Sequence, residues 1–456
     1  MTRTANCRRR LILVACAAGL LAAARAADRG YAVVVSETTL GDEGWKRVAG
    51  ELCAKHGAIA VTYAGKVEEA LPELRARFPR HACFVARPEE ATREFVAKVH
   101  ALARALDDDP YADFFWGILT GYDAENALRI ASYREPLVIR KAAAGTEIAL
   151  EMCEEGVWYC ELKQGRMVRK EKGGAPRDLQ APADTTEALV KALTEYRADL
   201  FVTSGHATER DWAIGYGYRN GSFRCEKGVL FGLDTRGVKF SIRSPNPKVY
   251  MPAGNCLMGH IDGPDAMALA FMNSGGVNQM LGYTVPTWYG YAGWGCLDYF
   301  VEQPGRFTFT EAFFANHAAL IHRLTATENL GAGDKRGLLH DRDTVAFYGD
   351  PAWEARMAPQ PCAWEQTIEE REGVFTLQIA PKRGAASFEP ISRNGSQRGG
   401  RPIVQFLRAR VKDVQVLEGA DLRPVVTDDF ILVPNPGACD PAKRYRVAFR
   451  ATAVAR

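Results

Sequence analysis

Two segments of the chain carry side chains able to do covalent chemistry, and both have the same layout. Residues 199–211 read DLFVTSGHATERD and residues 248–265 read KVYMPAGNCLMGHIDGPD. Each is an apolar run, then a turn of small residues, then a reactive group: His206 in the first and Cys256 in the second. In a parallel sheet both groups emerge at the carboxyl edge, where α/β proteins build their sites. A thiol with a pKa of about 8.5 is mostly protonated at neutral pH. A neighbouring imidazole can take that proton, protonate a leaving amine and later activate water. Gly205 and Gly254 permit sharp turns that expose backbone N–H groups to an oxyanion. Taken singly, Cys256 reads as a buried or disulfide-bonded cysteine and His206 as a structural or surface residue.

Other patterns are weaker. His260, Asp262 and Asp265 form a compact polar group after Cys256, able to bind a structural cation, orient the site or simply stay solvated. No HExxH run exists, so a zinc hydrolase using His206 and Glu209 ranks low. GYGYRNG (215–221) has the wrong glycine interval for a dinucleotide loop. His317 and His322 are too far round a helix to share a face, and read as packing. Asn220 and Asn394 begin N-x-S sequons. Cys153 and Cys160 flank EEGVWY and are spaced for a local disulfide. No cofactor and no metal centre is expected beyond a structural cation.

The elements that must position these groups follow a βαβ rhythm. Residues 31–35, 59–63, 83–86 and 114–119 read as strands, with helical periods at 44–56, 67–78 and 92–106. Residues 141–185 break the rhythm with Gly, Pro and charge, and are expected to be an insertion or linker. The rhythm returns with a helix at 187–197 and strands at 199–203, 248–251 and 276–283. A hairpin turn at 234–237 joins two further strands. After about residue 355 only short alternating runs remain, which predicts a β-sandwich. The expected architecture is a largely parallel α/β sheet followed by that β-domain.

The N-terminus reads as an export signal. Arg8, Arg9 and Arg10 precede an apolar run at 11–24 that ends in Ala24-Arg25-Ala26, an A-x-A cleavage pattern. Fourteen apolar residues are short for a bilayer span, and no later stretch is long enough, so no integral membrane segment is expected after cleavage. Five of the 58 basic residues lie in the signal, so the remaining chain balances to −2 with His neutral. That offers no electrostatic case for a nucleic-acid partner. The basic excess sits at 371–456, with 15 basic and 8 acidic side chains, and would suit association with an anionic envelope surface. Nine cysteines remain after cleavage, an odd number that leaves at least one thiol unpaired within the chain.

The chain resembles the gingipain-type cysteine peptidases, within the wider caspase-like fold group. The resemblance rests on FVTSGHAT, on VYMPAGNCLMG, on DAMALAFMNSGGVNQMLGYTVPTW, on TVAFYGDPAW near the end of the α/β region, and on FFWGILTGYDAENALRIA upstream. It covers roughly residues 30–353. It implies a caspase-like parallel-sheet catalytic region, with Cys256 as nucleophile and His206 as general base and acid. It also implies an oxyanion hole from the backbone N–H groups of Ala207 and Cys256, with Ala207 standing where the family usually has Gly. Trp288 would be an aromatic wall of the substrate pocket, and an acidic residue would steady the histidine.

These readings give a domain plan and a function. Residues 1–26 are the signal, 27–140 an N-terminal α/β subdomain, 141–185 the insertion or linker, 186–355 the catalytic subdomain and 356–456 the β-sandwich. The expected protein is an exported cysteine endopeptidase acting on polypeptides, secreted, periplasmic or at the cell surface. A non-catalytic binding or surface-maintenance relative is the second reading, and a metal-dependent hydrolase the third.

Overall fold

The computed structural model describes residues 30–454, so the signal segment 1–26 lies outside the described residues. The first apolar runs form β1 (Tyr31–Ser36), β2 (Ile59–Tyr63), β3 (His81–Val85) and β4 (Phe115–Leu119). They pair in parallel in the order β2-β1-β3-β4. Every residue of β1, β3 and β4 is buried, as expected for strands covered on both faces. The covering helix Glu43–His56 starts at Asp42, whose carboxylate caps Gly44 and Trp45, and ends at Gly57 in the left-handed region. It turns Trp45, Val48, Ala49 and Leu52 inward.

After β5 (Leu137–Ile139) come β6 (Lys141–Ala144), β7 (Glu155–Tyr159), β8 (Arg166–Lys170), β9 (Arg177–Gln180) and β10 (Leu200–Thr203). An antiparallel excursion follows: β11 (Asp211–Ala213), β12 (Ser222–Glu226), β13 (Val229–Leu233) and β14 (Lys239–Ile242). Then come β15 (Lys248–Pro252), β16 (Val277–Tyr283) and β17 (Val345–Tyr348). The central sheet has twelve strands in the order β2-β1-β3-β4-β17-β16-β15-β10-β6-β7-β8-β9.

The sheet is mixed rather than simply parallel. β16, β15, β10, β6 and β7 are parallel neighbours. β17 runs antiparallel to β16, and β8 and β9 close the far edge as antiparallel strands. Residues 141–185, expected to be an insertion or linker, supply four strands of the central sheet. Short Ala-rich β6 and fully exposed β9 lack the β-branched alternation that marks a strand in sequence.

The C-terminal region is β-rich. β18 (Ala355–Met357) returns to pair with β5. β19 (Trp364–Arg371), β20 (Val374–Pro381), β21 (Ile403–Phe406), β22 (Val411–Glu418), β23 (Val425–Val426), β24 (Phe430–Val433) and β25 (Tyr445–Ala453) make two antiparallel sheets, β19-β20-β25-β22 and β21-β24-β23. Leu377, Val447 and Phe449 face Ile403, Ile431 and Val433 between them. The smaller sheet is buried on its other face too, since Val404, Phe430 and Leu432 join the α/β core.

Between β20 and β21 a strap, residues 391–401, crosses the α/β region. Glu302 accepts from the Ile391 and Ser392 N–H groups. Buried Arg398 bonds Asp298 and Glu302, each at 2.5 Å. Arg401 lies 3.5 Å over the Tyr291 ring. Among the described residues no helix is long and apolar enough to cross a membrane.

Candidate active site

Four consecutive parallel strands deliver polar groups to one edge. In the order β7, β6, β10, β15, the residues just past their carboxyl ends are Glu161, Thr146, Ser204 to His206, and Asn255 to Cys256. β10 and β15 are hydrogen-bonded neighbours in register, with Thr203 opposite Pro252. This is the carboxyl edge expected to hold a site.

Asn255 joins the two loops. It is fully buried. Its Oδ1 accepts from Thr203 Oγ1 at 2.6 Å and its Nδ2 donates to Gly205 O at 3.0 Å. The residue before Cys256 is thus tied to the residue before His206. Gly205 takes φ +94°, a conformation that a side chain would strain. Leu257, directly after Cys256, sits at φ +59°, which is unusual for a bulky residue and marks a sharp turn at the cysteine. Its N–H is held by Val285 O at 3.2 Å.

Cys256 is half-buried and unpaired. The Thr287 N–H donates to its Sγ at 3.1 Å, a contact suited to negative charge on sulfur, and the thiol reaches Thr287 O at 3.7 Å. His206 is exposed, and its ring stacks on Tyr216 with centroids 4.7 Å apart. No hydrogen bond joins His206 to Cys256, so the two lie on adjacent loops without forming a closed dyad.

Neither the Ala207 N–H nor the Cys256 N–H has an acceptor among the described residues. Ala207 is not in the positive-φ region, so its methyl group is no obstacle to the local backbone. Trp288 is 50% exposed, next in sequence to the Thr287 that contacts Cys256. Its ring lies 5.6 Å from His340 and 5.5 Å from the Arg336 guanidinium.

Several contributors carry no sequence signal. Glu161 is buried. Its Oε1 accepts from Thr146 Oγ1 at 2.6 Å, Ser204 Oγ at 3.2 Å and Asn394 Nδ2 at 3.2 Å, while its Oε2 has no partner. Its main-chain carbonyl accepts from Tyr216 and Gly217 N–H, both at 2.8 Å. An isolated Glu, Asn or Tyr in a turn looks like any solvated residue, and only the strand order brings these together.

The polar group after Cys256 does not converge on a cation. Asp262 pairs with Arg210 at 2.9 Å, Asp265 accepts from Lys227 N–H, and burial lowers the His260 pKa. Among the described residues, the group that could coordinate a metal ion is Asp107, Asp109 and Asp113, whose oxygens lie within 4.8 Å of one another. Burial and mutual repulsion raise Asp109 to about 6 and Asp113 to about 8. These oxygen donors suit a hard cation, and they precede β4, at its amino end. Cys153 and Cys160 are both free thiols, not a disulfide. Asn220 and Asn394 spend their amide N–H groups on internal acceptors. His317 is buried against His100, as a packing histidine.

No family model matches the chain, and no curated protein matches it. Among solved structures, the complex of Porphyromonas gingivalis RgpB pro- and mature domains is similar at 12% identity, over 90% of this chain and 94% of that one, with a TM-score of 0.47. At that level nothing is transferred from it to this protein.

Proposed function

We propose that this chain is a cysteine peptidase in which Cys256 is the nucleophile and His206 the proton carrier. The observation that carries the reading is the pairing of the two loops: they leave neighbouring parallel strands and are tied by Asn255. The imidazole leaves its Tyr216 stack to take the Cys256 proton, and sulfur forms a bond to a peptide carbonyl. The resulting oxyanion is met by the Ala207 and Cys256 N–H groups, which have no internal acceptor. His206 then gives its proton to the departing amine as the C–N bond breaks. Water, deprotonated by His206, attacks the thioester and releases the thiol. Trp288 forms an apolar wall for the side chain beside the cleaved bond. Catalytic hydrogen bonds are often long in unliganded enzymes and tighten only around substrate.

A peptidyl acyloxymethyl ketone, used under reducing conditions, tests the assignment. It should label wild type and not Cys256→Ala, and peptide turnover should vanish in Cys256→Ala and fall roughly 10²–10⁴-fold in His206→Ala. Equal turnover by Cys256→Ala overturns the reading. The competing reading, a binding protein that keeps this architecture without turnover, is favoured by the missing His206–Cys256 hydrogen bond and by the thiol's engagement with Thr287. It predicts no labelling. For location, the basic, apolar and A-x-A order at 8–26 supports export, with a mature N-terminus at Ala27 that terminal sequencing would read.

A further inference from the structure

The strap is pinned down on either side of the candidate site. On one side Asn394 Nδ2 donates to Thr146 Oγ1 at 2.9 Å, to Glu161 Oε1 at 3.2 Å and to the Glu147 carbonyl at 3.4 Å. On the other the Trp294 indole lies between Gly395 and Gly254. A Cβ on Gly395 would approach it to 2.3 Å, and one on Gly254 to 2.6 Å. Gly254 is two residues before Cys256, and Thr146 and Glu161 lie just past the ends of β6 and β7, the two strands that follow β10 in the sheet. Residues far along the chain therefore pack against the edge from which both reactive groups emerge.

Glu161 links Asn394 to both supports of His206. Its side chain accepts from Ser204, two residues before the histidine. Its main chain accepts from Tyr216, whose ring lies under the imidazole. Three donors share one carboxylate oxygen, and the other has none. Removing a donor from such a buried network frees the carboxylate to turn, because its second oxygen is not held.

We infer that Asn394 is a positioning residue for His206, acting through Glu161, so that the β-rich C-terminal region completes the site. The catalytic side of this inference rests on the peptidase reading above. The geometric side does not, and the experiment separates them.

The full-length chain with ¹³C-labelled histidine gives a ring cross-peak for His206, assigned by its loss in His206→Gln. In Asn394→Ala this peak should move toward the position of an unstacked imidazole, while the peaks of buried His100 and His317 stay fixed and report an intact core. Peptide turnover should fall about tenfold in kcat with KM within about twofold, as expected for lost orientation. Arg393→Ala, an exposed neighbour paired only with Glu389, should change neither.

Asn394→Asp keeps the volume if the alanine variant folds poorly. Its carboxylate would face Glu161 Oε1 and the Glu147 main-chain carbonyl, with Arg166 3.8 Å from the Glu147 side chain as the nearby cation. The His206 peak should therefore be displaced from the wild-type position recorded at the same pH. A His206 peak that coincides with wild type in both variants overturns the inference. A displaced peak in a protein whose wild type hydrolyses no peptide upholds the positioning and sinks only the peptidase reading.

Discussion

Replacing Asn255 by alanine tests the tie between the two loops most directly. The side chain is fully buried and makes two hydrogen bonds. Thr203 Oγ1 would keep the Tyr250 hydroxyl at 3.0 Å, so that loss is an ordinary net bond of about 0.5–1.5 kcal/mol. The Gly205 carbonyl would lose its donor, which costs about 1–3 kcal/mol if water does not enter. The sum is about 1.5–4.5 kcal/mol, read as a lower urea midpoint with an unchanged slope. Asn255→Asp sharpens the test. A buried carboxyl has a raised pKa, so the folded state holds a proton that the unfolded state releases above about pH 4. Its deficit relative to wild type should therefore grow as pH rises from 4 toward 8. Below that window the protonated carboxyl can still donate to Gly205 O. A cost under about 0.5 kcal/mol for Asn255→Ala, or an Asn255→Asp deficit that shrinks with rising pH, would refute the account.

Arg398→Ala should cost about 3–5 kcal/mol in chemical unfolding, because it strands buried Glu302 without its cation and leaves buried Asp298 with Arg401 alone. Ala207→Gly should leave turnover within about twofold and lower stability by about 0.5–1 kcal/mol, since Ala207 already has an ordinary φ and glycine only adds freedom to the unfolded chain. Acid should destabilise the protein through two stacked buried histidines. Burial holds His100 at about 4 and pushes His317 well below its usual value, beside Arg104, Arg342 and Asp343. Their folded pKa values lie below the unfolded value, so the stability they contribute is present above about pH 6.5 and lost as pH falls toward 4, roughly 3 kcal/mol for His100 alone. A His100→Gln variant that folds should show a shallower loss over that window in pH-dependent melting.

The sequence reading worked where one residue type dominated a run. YAVVV, FFWGIL and VYM are legible as strands because both faces of the central sheet are covered there and these runs are apolar. The same regularity put His206 and Cys256 after strands, and the registry of β10 with β15 puts those strands side by side. It failed where packing rather than side-chain type makes the strand. KAAA in β6 carries no β-branched residue, yet all three of its alanines are buried between β10 and β7. RDLQ in β9 is wholly exposed and held only at the sheet edge. The supporting residues of the site were beyond reach for a different reason. Asn394 and Thr146 are 248 residues apart, and no local pattern encodes such a contact.

The buried hydroxyl of Tyr31 opens β1 and bonds Asp350 at 2.8 Å, 319 residues later. Lys55 and His56, at the end of the first long helix, bind the same carboxylate at 2.9 and 2.7 Å. The oldest part of a growing chain thus waits for a partner made near the end of the α/β region. A chain emerging from its N-terminus cannot finish this core piecemeal, and the loop it must close is long. Long-range closure of this kind slows folding, and an isolated N-terminal fragment would expose Asp350's three partners without their shared counter-charge.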